Sequence, residues 1–146
     1  MMMTHFFEEA LEQLFAHLGV AYARELENDD YPALVLDEKM LIHFIEHEDR
    51  IEIVATLGGL PKDAQILSQL LTFNYSEAAL PICFASDANG RSLLAIMRLP
   101  LEVDHKMLLA ALQSLVVQIE ACETVLTGSD HHHAQSGLLE KLLAAR

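Results

Sequence analysis

Apolar residues recur at Phe7, Leu11, Leu14, Phe15 and Leu18, while Glu8, Glu9, Glu12 and Gln13 take the other side. This i, i+4, i+7, i+8, i+11 stripe predicts an amphipathic helix that starts near Phe6. Thr4 suits its N-cap, the first-turn glutamates suit the positive end of the helix dipole, and Gly19 suits its stop. After an acidic, turn-like stretch from Glu25 to Pro32, the period changes from 3.6 to 2. Ala33-Leu34-Val35-Leu36 reads as a short strand, and Asp37-Glu38-Lys39 as a turn into a second strand, Met40 to Glu46. Leu41, His43 and Ile45 share one face of that strand and Met40, Ile42 and Phe44 the other, so both faces are largely apolar and both need cover. Glu48-Asp49 turns into a third strand, where Ile51, Ile53, Ala55 and Leu57 alternate with Arg50, Glu52, Val54 and Thr56, and Gly58-Gly59 ends it. Loops this short return a strand only antiparallel, which makes the three a meander.

The second half repeats the alternation of types. Pro61 suits the first turn of a helix running to Asn74, whose wide apolar face is Ile66, Leu67, Leu70, Leu71 and Phe73. Ile82 to Ser86 and Ser92 to Leu99 flank Asp87-Ala88-Asn89-Gly90, a hairpin signal, with Pro81 and Pro100 outside the pair. From Asp104, Leu108, Leu112, Leu115, Ile119, Cys122 and Leu126 alternate spacings of four and three, the stripe of a core-facing helix. The expected fold class is α+β in the order α-β-β-β-α-β-β-α, a twisted antiparallel sheet packed with helices. The expected organisation is one domain over residues 1–127 and a polar linker and short helical or disordered tail over 128–146.

Composition narrows the function classes. Nine Lys and Arg against 22 Asp and Glu give a formal charge of −13, which repels both a phosphate backbone and an anionic membrane surface. Nucleic acid and membrane insertion are therefore not expected. Yet 52% of the residues are hydrophobic and the mean hydropathy is +0.25, so the chain carries apolar surface that an acidic exterior keeps soluble. Met1 to Glu12 does not read as a signal peptide, and no apolar run approaches the roughly 20 residues of a membrane span, so a cytoplasmic, reduced protein is expected. Cys83 and Cys122 lack CxxC spacing and read as buried thiols.

Catalytic chemistry finds no foothold. Ser68, Ser76 and Ser92 lie in no nucleophile elbow, Cys83 has no neighbouring His, and Gly58-Gly59-Leu60-Pro61-Lys62 lacks the spacing of a phosphate loop. His43 and His47 share a strand face without a third ligand, and His131, His132 and His133 are consecutive residues in a Gly/Ser-flanked tail. No cofactor and no enzyme activity are expected.

Three stretches carry a family resemblance: HFFEEALEQLFAHLG at residues 5–19, LPKDAQILSQLLTFNY at 60–75 with its downstream hairpin, and SLLAIMRLPLEVDHKMLLAALQSLV at 92–116. In the last, an apolar strand passes through Leu-Pro into the final helix. Together with the element order, they make the chain resemble a class I type III secretion chaperone of the Tir-chaperone type, over about residues 4–126. The resemblance implies a homodimer, seamed by Ile66, Leu67, Leu70, Leu71, Phe73, Ile82 and Phe84. It also implies that an N-terminal segment of a secreted effector wraps around the dimer in extended form, without ATP. Leu34, Leu36, Met40, Ile42 and Phe44 are the expected effector groove, and Leu41, Ile45, Ile51 and Ile53 the expected core. The acidic face has two readings, docking to a secretion ATPase or solubility alone. Two alternatives stay open: a small α+β metal-binding regulator or enzyme using His43, His47 or His131–His133, and a chaperone-like domain that binds a folded regulatory partner.

Overall fold

The computed structural model describes residues 4–20, 31–36, 40–75 and 81–127. Helix α1 (His5–Leu18) opens the chain. Thr4 caps it, accepting from the Phe7 N–H at 3.3 Å, and Gly19 closes it in the left-handed region at φ 70°. Thr4 also donates from its main-chain nitrogen and its hydroxyl to the two carboxylate oxygens of Glu46, both at 2.8 Å. The cap thus ties the start of α1 to the end of a strand 42 residues away, and it satisfies a carboxylate that is only 7% exposed.

Strands β1 (Ala33–Leu36), β2 (Met40–Glu46) and β3 (Ile51–Gly59) form the expected antiparallel meander. β3 runs through Gly58 and Gly59 instead of ending before them. The register shifts between Thr56 and Gly58, and Gly58 takes φ 118°, so the glycines make a bulge within the strand. Helix α2 (Ala64–Thr72) starts later than Pro61 because the Asp63 carboxylate captures the Gln65 N–H at 2.8 Å and caps the helix there. A 3-10 turn, Phe73–Tyr75, completes the segment.

β4 (Ile82–Ser86) and β5 (Ser92–Leu99) form the hairpin. Asp87 organises it: its carboxylate accepts from the N–H groups of Arg91 and Ser92 at 2.8 and 3.1 Å, and Gly90 turns through φ 66°. Those main-chain donors hold the Asp87 carboxyl below the usual carboxylate range. Helix α3 (His105–Thr127) is capped by Asp104, which accepts from the Met107 N–H at 2.8 Å.

The five strands run in the order β1-β2-β3-β5-β4, all antiparallel. β3 and β5 are therefore the centre, and β1 and β4 are the edges. One sheet face carries Leu34, Ile42, Phe44, Ile51, Ile53, Ala55, Ala95 and Met97, all buried. α1 covers it with Phe7, Leu11, Leu14, Phe15 and Leu18, and α3 with Leu108, Leu112, Leu115 and Ile119. Phe15 meets Phe44 edge-on at 5.9 Å between ring centroids. Cys122 lies in this layer as a free thiol, pushed up to about 11 by burial and the nearby Glu123 charge. No described helix is long and apolar enough to cross a membrane.

Candidate functional site

The register of the meander decides which residues face the core and which face away from it. Phe44 pairs with Ile53, Ile42 with Ala55, and Ile45 with Glu52. Directly opposed residues point to the same side of a sheet, so Ile42 and Phe44 lie with Ile53 in the core and Ile45 lies with Glu52 on the other face. Leu34, Ile42 and Phe44 are 2%, 0% and 0% exposed. The expectation that these three line an open groove is therefore corrected: they sit under α1 and α3. Met40 is partly buried against the same core, and Leu36, opposite it, ends β1. Of the expected core set, Ile51 and Ile53 are core, whereas Leu41 is 37% exposed and Ile45 is half-buried on the outer face.

That outer face has no helix over it among the described residues. It is a largely apolar surface: Val35, 52% exposed, on β1, Leu41 and Ile45 on β2, Val54 on β3, and Leu94 and Ile96 on β5. Its border at the β2–β3 turn is charged. Glu52 is held by His47 at 2.9 Å, Arg50 at 3.1 Å and Arg98 at 3.3 Å. Burial pushes the Glu52 carboxyl up, but the hydrogen bonds from His47 and Arg50 outweigh it and hold it below the usual range. His47 is thus committed to a carboxylate, and no group of three metal-ligating side chains occurs among the described residues. The His131–His133 run lies outside them.

Among the described residues, none pairs with the outer edge of β1. Phe44 donates its N–H to Pro32 O at 3.0 Å, so the alternation of an antiparallel ladder makes Leu34/Ile42 and Leu36/Met40 the hydrogen-bonded pairs. The main-chain groups of Ala33 and Val35 then point away from β2, and no described residue bonds them. An extended chain laid there meets a row of donors and acceptors beside the exposed Val35 side chain.

A second apolar surface lies between α2 and the β4–β5 hairpin. Leu60, Leu67, Leu70, Leu71, Phe84 and Leu93 line a groove of about 200 Å³. Leu71 is 58% exposed at its lip, while Leu70, Ile82 and Phe84 are buried within the single chain. Ile66, Leu67 and Phe73 are half-buried, and Phe73 stacks edge-on against Phe84 at 6.2 Å. Of the residues expected at a dimer seam, Leu71, Leu67, Ile66 and Phe73 therefore remain available to a second chain. Leu70, Ile82 and Phe84 support them from beneath.

Val35 and Leu60 were not singled out from the sequence, and Leu41 was placed in the core. A signal existed for Leu41: a turn centred on Glu48-Asp49 pairs His47 with Arg50 and hence Ile45 with Glu52, which already separates Leu41 and Ile45 from Ile53. None existed for Val35, because every residue of β1 is apolar.

Comparison with known proteins agrees with this architecture. A chaperone of Salmonella typhi, SigE, is 29% identical over 93 residues, 64% of this chain and 75% of its own length. A chain from the crystal structure of the Yersinia pestis type III secretion chaperone SycH with a stable fragment of YscM2 superposes with a TM-score of 0.59 at 23% identity. The match covers 80% of this chain and 96% of that one. A chain of the Pseudomonas aeruginosa ExoT–SpcS complex gives a TM-score of 0.60 at 24% identity, over 82% and 98%. These two likenesses are of fold. The profile of the type III secretion chaperone domain matches residues 9–125, and on that match this chain belongs to the type III secretion chaperone family.

Proposed function

We propose that this chaperone holds an extended segment of a secreted effector along the β1 edge and the outer sheet face, and that it works as a homodimer in the bacterial cytoplasm. The observation that carries the reading is the combination at β1: outward main-chain groups of Ala33 and Val35 that no described residue bonds, beside the exposed side chains of Val35 and Leu41. A disordered segment can add as a strand there, its main chain bonding the edge and alternate side chains covering the apolar face. Each large side chain covered contributes about 1–2 kcal/mol, which offsets the entropy of ordering the segment only if several are covered together. Holding of this kind makes and breaks no covalent bond, which agrees with a non-enzymatic, ATP-independent role. The solved complexes of SycH with a YscM2 fragment and of SpcS with ExoT support a protein partner of this kind. The α2–hairpin groove, with Leu71 at its lip, is the proposed seam of the dimer.

The test is co-expression with N-terminal segments of secreted proteins from the same genome, followed by size-exclusion chromatography with light scattering. Wild type should give two chaperone chains per segment. Replacing Val35 and Leu41 by Asp should weaken capture at least roughly tenfold with the dimer intact, whereas Leu71→Asp should give monomers. Capture that survives the first replacement refutes the proposed site, and a Leu71→Asp dimer refutes the proposed seam.

A further inference from the structure

The sheet has two edges, and they are treated differently. On β4 the main-chain groups of Cys83 and Ala85 face β5, so those of Ile82 and Phe84 face outward. Unlike their counterparts on β1, which no described residue bonds, they are bonded. The Asn74 side chain accepts from the Phe84 N–H at 2.7 Å and donates to the Phe84 carbonyl at 3.4 Å. A single amide thus satisfies both main-chain groups of one residue, as an opposing strand residue would. Two residues earlier, the Gln118 side-chain carbonyl accepts from the Ile82 N–H at 3.2 Å. Both side chains are held in place. Asn74 sits in the 3-10 turn that Phe73 anchors edge-on against Phe84, and the Gln118 amide nitrogen donates to Ser114 Oγ at 2.9 Å on the same helix. The third outward position, Ser86, ends the strand, so no two consecutive outward positions of β4 are open to a new ladder.

We infer that Asn74 and Gln118 are specificity-determining residues: they occupy the bonding row of β4, deny that edge to an added strand, and leave the β1 edge to receive one. Sheet edges recruit strands indiscriminately, and a protein that binds extended chains cannot blunt both edges without losing its function. Side-chain amides close one edge while leaving the apolar α2–hairpin groove beside it free to pack through side chains. The consequence for effectors rests on the strand-addition reading above. The closure itself does not.

The experiment uses the full chain without any effector. Amide hydrogen exchange by NMR compares the Phe84 and Ile82 amides with that of Val35, which points outward from the β1 edge and meets no described acceptor. In wild type the two β4 amides should exchange at least roughly tenfold more slowly than Val35, and Asn74→Ala should bring Phe84 to within a few-fold of it. Asn74→Asp keeps an acceptor for the Phe84 N–H and should keep its protection. By light scattering, Asn74→Ala combined with Gln118→Ala should associate with rising concentration beyond the wild-type size, and Asn74→Asp should not. Wild-type Phe84 exchanging as fast as Val35 overturns the inference, and so does a folded double variant that keeps the wild-type size. Should the double variant not fold, the exchange comparison of wild type, Asn74→Ala and Asn74→Asp decides the matter. Failure of strand addition at β1 would appear instead as lost effector capture with these exchange rates unchanged.

Discussion

Replacing Phe44 and Leu41 by alanine, one at a time, tests which face of β2 is core. The two residues are three positions apart on one strand and point to opposite sides. Phe44 is fully buried, opposite Ile53, and edge-on to Phe15 at 5.9 Å. Its loss removes a whole ring from a packed layer between sheet and α1, which costs about 3–5 kcal/mol, of which about 1 belongs to the aromatic pair. Leu41 is 37% exposed on the face that no described helix covers, opposite Thr56, so its side chain is already partly in water and leaves no closed cavity. Its truncation should cost about 1 kcal/mol or less. Against the roughly 5–15 kcal/mol that holds a domain of this size together, the first change is severe and the second minor. Urea denaturation followed by far-ultraviolet circular dichroism measures both, at one fixed protein concentration because the stability of the proposed dimer would depend on it. Equal losses, or a larger loss for Leu41→Ala, would mean that β2 presents its other face to the helices, and would refute the placement of the binding face.

Three further outcomes follow from the cap, the charged border and the buried thiol. Thr4→Ala removes the α1 cap and the hydroxyl donor to the buried Glu46 carboxylate, leaving it the main-chain N–H of residue 4, so urea melts should show a loss of about 2 kcal/mol, and Thr4→Ser should recover most of it. Because the folded Glu52 carboxyl lies below its ordinary range, its contribution is fully present above that range and lost as pH falls through the folded value. The urea midpoint should therefore drop on acidification below the ordinary carboxylate range, and the drop should be smaller in Glu52→Gln; an identical pH profile would argue against the His47 and Arg50 bonds. With its thiol pushed up to about 11, Cys122 is protonated at pH 8 and buried, so a thiol reagent should leave it unmodified in the native protein and label it on unfolding. Rapid native labelling of Cys122, read by peptide mass, would contradict its burial.

Local chemistry wrote much of this fold into the chain. The stripe from Phe7 to Leu18, the cap at Thr4, the stop at Gly19 and the turn at Asp87–Gly90 each depend on residues within about one turn of one another, and each stands where the pattern put it. The α2 boundary moved because two start signals, Pro61 and Asp63, lie two residues apart, and the side chain that reaches an N–H prevailed. The element order and the antiparallel meander were legible for the same local reason. Tertiary structure alone decided three things. It placed β5 between β3 and β4, since nothing in a hairpin says which of its strands will join an existing sheet. It chose the buried face of β2: with apolar residues on both sides, the alternation is symmetric and only the register with β3 and the packing of α1 and α3 break the tie. And it distinguished the two edges, because the amides that close β4 come from Asn74 and Gln118, a turn and a distant helix, whose polar side chains have no meaning for a strand until folding brings them beside it.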